Sequence, residues 1–304
     1  MVTQPRPMLL LAVERGEVDS VQKLIRAKAD IEKRSHSGDS PLIIATLNGW
    51  IHCVKLLLHA QADIEAKRDD GGTALTAAVI MNDGACVRVL IDAKANLEVK
   101  NNNGATPLIV AARMGHTACA QVLLEAQASV HAADDRGSTP LMAAAGAGRH
   151  TCVALLIKAN ANLEVRDHID LTPLFFASLV GQTDCVQILL RRKADIEAKD
   201  SHWNTPLIAA VTSGRSACVQ ALVDANADIS AENVYGDSAV ELAARNGHRD
   251  ILATLVMGQT SALKASHSLP LSRPARTLRA TCTDTNALDV EQAGHTGNPE
   301  LAVY

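Results

Sequence analysis

Apolar residues along this chain fall in two alternating blocks, and the pair recurs every 33 residues. The block TPLIVAARMG, from Thr106, shows the first kind. Thr106 suits an N-cap, and Pro107 suits the first helical position, where no N–H is needed. Leu108, Ala111 and Ala112 make a small apolar stripe, and Gly115 ends the block. In the second kind, Cys119, Ala120, Leu123 and Leu124 share one face at i, i+1, i+4 and i+5. The spacing predicts two short helices. The polar link AQASVHAADDRG follows, with turn chemistry around Asp134–Gly137, and predicts a tight hairpin before the next Thr-Pro.

The first block returns as SPLIIATLNG (Ser40), TALTAAVIMN (Thr73), TPLMAAAGAG (Thr139), TPLFFASLVG (Thr172) and TPLIAAVTSG (Thr205). Weaker copies are SAVELAARNG from Ser238 and PMLLLAVERG from Pro7. That makes eight units, near 7–34, 35–67, 68–100, 101–133, 134–166, 167–199, 200–232 and 233–258. A period of this length marks stacked repeats, in which each unit buries its apolar face only against its neighbours. The expected fold is an all-α solenoid of helix-turn-helix units with short β-hairpin or loop connections over 1–258, with a disordered tail at 259–304. The end units carry the polar residues a cap needs, Glu14, Arg15, Glu17 and Asp19 at one end and Glu241, Arg245, Arg249 and Asp250 at the other.

The period, the Thr-Pro-Leu start and the Ala-Ala, Gly-His and Leu-Leu positions closely resemble the ankyrin repeat family. Gly115-His116 and Gly247-His248 match its turn, and Asp30, Asp63, Asp195 and Asp228 match its Ala-Asp step. Three slots depart from the family pattern. Its His after Thr-Pro-Leu is Ile43, Thr76, Ile109, Met142, Phe175, Ile208 and Glu241, so apolar packing is expected in place of a hydrogen-bond network. Its positive-φ Gly before Ala-Asp is Lys28, Gln61, Lys94, Gln127, Asn160, Lys193 and Asn226. Either the stack tolerates a cost of up to about 1 kcal/mol at each, or the turn differs. Its frequent Asn two residues after the Asp, a target of asparaginyl hydroxylase, is Glu32, Glu65, Glu98, His131, Glu164, Glu197 and Ser230, so that modification is not expected.

Composition narrows the class further. Aromatics are only 2% of the residues, so the core must be built from Ala, Leu, Val and Ile. The net charge of −4 argues against a nucleic-acid surface. No apolar run is long enough to span a membrane, and the start lacks a signal-peptide cleavage pattern, so cytosol or nucleus is the expected compartment.

Cysteines at 53, 86, 119, 152, 185 and 218 form a ladder, with Cys282 outside it. Rungs on stacked helices lie about 8–10 Å apart, beyond the ~7 Å limit for a disulfide. His116 and Cys119 could give zinc two ligands, but other rungs have Trp50, Asp83 or Gln182 in place of the His. The ladder therefore reads as core. The chain has no GxSxG, GxxxxGK[ST], HExxH or CxxC, and its paired acids fall on turns. No catalytic residue, cofactor or metal is expected.

What remains is recognition of a partner protein by a monomer. In ankyrin-like stacks the turn tips and first-helix ends line a concave groove. Here those positions differ in every unit while the core positions repeat. At the tips the candidates are Asp69, Asp70, Asn102, Asn103, Arg136, His168, Ile169, His202, Trp203 and Tyr235. At the first-helix ends they are Leu47, Ile80, Met81, Arg113, Met114, Leu179 and Val180, an apolar stripe broken by Arg113. Trp203, where most units have Gly, is a candidate anchor. An alternative is a targeting or regulatory arm for an enzyme or channel on another chain or segment. The basic stretch SRPARTLRAT and Cys282 are candidate modification or docking positions in the tail.

Overall fold

The computed structural model describes residues 8–267, with backbone alone for 259–267. Sixteen helices follow one another in these residues, two per unit. The first-helix and second-helix pairs are α1 (Met8–Glu14) with α2 (Val18–Arg26), α3 (Pro41–Leu47) with α4 (Ile51–His59), and α5 (Ala74–Ile80) with α6 (Gly84–Asp92). Next come α7 (Pro107–Met114) with α8 (Thr117–Glu125), α9 (Pro140–Gly146) with α10 (His150–Lys158), and α11 (Pro173–Val180) with α12 (Thr183–Arg191). The last pairs are α13 (Pro206–Thr212) with α14 (Ser216–Asp224), and α15 (Ala239–Arg245) with α16 (Arg249–His267). Each first helix packs on the first helices before and after it, and each second helix does the same in a parallel row. The last helix runs to His267, past the end expected from the period at 258, and 268–304 lie outside the described residues.

Local chemistry sets the helix bounds as the pattern predicted. Ser40, Thr106, Thr139, Thr172 and Thr205 each accept the N–H three residues on, with Pro at the first helical position. Ser238 and Glu241 form a reciprocal capping box. Thr73, followed by Ala instead of Pro, makes no such bond, and its buried hydroxyl is the one unpaired side-chain polar atom among the buried described residues. The slot that holds His in the family pattern is filled by buried Ile43, Thr76, Ile109, Met142, Phe175 and Ile208. The Thr caps therefore stand without that His.

The left-handed turn survives its missing glycines. Lys28, Gln61, Lys94, Gln127, Asn160, Lys193 and Asn226 all hold φ between 58° and 70°. The stack holds the strained conformation because that residue and the next make the bonds that close the helix, as when Gln61 N–H meets Leu58 O and Ala62 N–H meets Leu57 O.

The expected β-hairpins are tighter than strands. The described residues contain no strand, only one isolated bridge between Glu232 and Ser238. Each link is a short turn closed by two backbone bonds, such as Asp134 N–H to Ser138 O and Gly137 N–H to Asp134 O. Asp134, Asp167 and Asp200 then accept two further backbone N–H groups each through one carboxylate oxygen. The acids on these turns build backbone, as their residue type predicts.

Two ladders tie one unit's link to the next. Glu32, Glu65, Glu98, Glu164 and Glu197 each place a carboxylate oxygen 2.7–2.9 Å from the backbone N–H 31 residues on. Arg34, Lys67, Lys100 and Arg166 each donate to the carbonyl 33 residues on. Glu fills the slot of the family's Asn because a longer carboxylate bridges to the neighbouring unit.

Candidate interaction surface

The core positions fix what is left for function. The six ladder cysteines are free and fully buried, 0% exposed. Burial pushes every one of these thiols up, Cys86 to about 12 and Cys185 to about 11. They stay protonated at neutral pH, so the buried ladder is not nucleophilic. His116 meets the carbonyl of Val79 in the preceding unit through Nδ1 at 2.7 Å. Among the described residues no group of three or more His, Cys, Asp or Glu is placed to hold a metal. No described helix is long and apolar enough to cross a membrane.

The first-helix ends divide into two sets. Met81, Arg113, Met114 and Val180 are exposed. Leu47 and Ile80 are half-buried against the main core, and Leu179 against the smaller cluster of Met142, Leu171, Phe175 and Ala209. The stripe read from sequence is therefore interrupted. Those three side chains tuck against neighbouring units and serve the stack itself.

The tips are exposed throughout: Asp69, Asp70, Asn102, Asn103, Arg136, His168, Ile169, His202, Trp203 and Tyr235. Neighbouring tips are tied by backbone bonds, Asn102 N–H to Asp70 O, Asp135 N–H to Asn103 O, His168 N–H to Arg136 O and Val234 N–H to His202 O. Asn102 also donates its side-chain amide to Asp69 O at 2.8 Å. Asp70 and Asn102 thus hold tip to tip as well as facing outward.

Large apolar side chains crowd the tips of the last three units. Ile169 is 63% exposed, Trp203 59% and Tyr235 73%, with Val234 beside Tyr235. Trp203 takes the turn's left-handed position at φ 61°, where Asp170 stands one unit earlier and five units have Gly. Lys199 Nζ lies 5.2 Å from the centre of its ring, a cation–π contact within the same turn. These tips stand on rigid turns and expose more apolar surface than a solvated turn requires.

Sequence reasoning did not single out exposed Val256 and Met257 on α16, nor a cleft of about 510 Å³ between α2 and α4 lined by Val18, Ile25, Leu56 and the basic side chains Arg26, His52, Lys55 and His59. The signal for the cleft was the shared second-helix face, visible only once the helices are stacked. A family model described as Ankyrin repeats (3 copies) matches residues 9–101, 59–134, 127–200 and 198–264. No curated protein matches the chain.

Proposed function

The chain belongs to the ankyrin-repeat family, and from that premise we propose that it is a non-catalytic module that captures a partner protein on its turn tips. Ankyrin repeats are generally protein-protein interaction modules. The observation that carries the proposal is the apolar row Ile169, Trp203 and Tyr235 on the tips of three successive units. Trp and Tyr concentrate binding energy at interfaces when a partner desolvates them. The turns beneath them are already ordered by Asp167, Asp200 and Asn233, so little conformational freedom is lost on binding. Met81, Met114 and Val180 extend the surface toward the first-helix ends, and Met adapts its shape to varied partners.

A photo-crosslinking amino acid placed at Tyr235 tests the reading against one placed at Gln121, exposed on α8. In extract of the source cells the proposal expects a discrete protein adduct from position 235 and none from 121. Equal labelling at both, or none at 235, contradicts it.

A further inference from the structure

One junction in the Glu ladder is built differently. At five junctions a Glu carboxylate meets the N–H of Asp63, Asn96, Ser129, Asp195 or Asp228. At the sixth, the residue in the Glu slot is His131 and the facing N–H is that of Asn162. Among the described residues no acceptor meets that N–H. The turn around it is otherwise bonded as at Asn96. Asn162 Oδ1 accepts Glu164 N–H at 2.9 Å, just as Asn96 Oδ1 accepts Glu98 N–H at 2.9 Å. Asn162 therefore offers its N–H as Asn96 does, with no carboxylate among the described residues to take it.

The second ladder fails at the same place. Lys100 Nζ donates to Ala133 O at 2.8 Å, but Ala133 has no side chain to continue toward Arg166. Where His replaces the bridging Glu and Ala the bridging Lys or Arg, a cavity of about 290 Å³ lies between the links. Its lining is Val130, His131, Thr139, Ala161, Asn162 and Val165. Each polar member has a proton to donate. A neutral imidazole keeps one N–H in either tautomer. The Thr139 hydroxyl oxygen is engaged by Met142 N–H, which leaves its proton to give. The Lys100 ammonium brings positive charge to the same link, on the Ala133 carbonyl. Val130, Ala161 and Val165 supply apolar walls for the methylenes that lead to a carboxylate.

We propose that this cavity, between the links at 129–133 and 161–165, binds a carboxylate carried by a partner polypeptide, replacing the Glu that every other junction supplies internally. The ligand chemistry is set by comparison within one molecule, since five equivalent N–H groups are each met by a carboxylate. The site does not rest on the apolar tip row, and alanine substitutions there leave the following titration unchanged.

Two peptides separate the possible sources of the carboxylate, acetyl-Ala-Glu-Ala-amide with an internal Glu and acetyl-Ala-Ala-Ala with a free C-terminus. Acetyl-Ala-Gln-Ala-amide is the neutral control. Each is titrated into ¹⁵N-labelled full-length chain while amide resonances are followed. The proposal expects a saturable shift of the Asn162 amide with at least one carboxylate peptide and none with the Gln peptide. The Ser129 amide, already held by Glu98, stays in place. In His131→Glu, which rebuilds the arrangement of the other junctions, affinity falls about tenfold or more, as for loss of a charge-assisted hydrogen bond. No saturable shift with either carboxylate, the same shift with the Gln peptide, or undiminished binding in His131→Glu overturns it.

Discussion

Trp50 lies across Gly16: Cδ2 and Cε2 of its indole are 2.7 Å from where a β-carbon on Gly16 would stand. Its Nε1 donates to Glu14 O at 3.4 Å, at the end of α1. Arg149 lies over Gly115 and donates to Arg113 O, and Arg215 lies over Gly181 and donates to Leu179 O. At these three junctions the residue before a second helix clips the open carbonyl end of the preceding unit's first helix, where backbone acceptors have no partner within the helix.

Trp50→Ala removes the clip on the first unit. Half-burial of the indole puts the loss at about 1–2 kcal/mol. Repeats couple mainly to their neighbours, so hydrogen exchange should accelerate in α1 and α2 and stay unchanged from α7 onward. Gly16→Ala should give the same pattern more severely, because its φ is 68° and the new methyl meets the ring.

The non-glycine left-handed residues make a second prediction. Gln61 and Gln127 are exposed, at φ 67° and 70°. Relief of left-handed strain is worth about 1–2 kcal/mol, and the added freedom of glycine in the unfolded chain takes back about 0.5–1. Gln61→Gly and Gln127→Gly should each raise stability by about 0.5–1 kcal/mol in urea melts. Asn160→Gly should gain less, because Asn tolerates this conformation.

The fold was legible where one residue carries one local instruction. Thr-Pro caps, helix-ending turns and the cysteine ladder all follow from spacing within a unit. The Glu and Lys/Arg ladders were not legible, although Glu stands in the same slot of five units, because the bonds link loops 31 and 33 residues apart. The exposure of the tips was legible, because a turn forces side chains outward. The half-burial of Leu47, Ile80 and Leu179 was not legible, because an apolar residue at a helix end can face solvent or the adjoining helix, and only the stacking decides.

The Glu ladder should be measurable in stability. Glu65→Ala leaves Asn96 N–H to water and should cost about 1 kcal/mol, the net worth of a partly solvated hydrogen bond. His131→Glu should raise stability by a similar amount. Urea unfolding of the two variants checks both signs.

The buried thiols set a pH limit. Their folded values lie above the ordinary 9.0, so an unfolded chain gives up these protons first. This contribution to stability is full below pH 9.0 and is lost as pH rises toward the folded values of about 11 for Cys185 and about 12 for Cys86. Alkaline unfolding should begin above pH 9.0, and Cys86→Val with Cys185→Val should move its onset upward. Cys119→Val should change stability at pH 7 by less than about 1.5 kcal/mol, as a small apolar exchange in the core.

The most direct test of partner capture on the tips is one triple variant, Ile169→Ala with Trp203→Ala and Tyr235→Ala, compared with the parent chain. All three side chains are exposed, so the urea midpoint should hold. Affinity for the protein crosslinked from position 235 should fall at least about a hundredfold, since two or more anchor residues are lost. An unchanged midpoint with unchanged affinity would contradict the account.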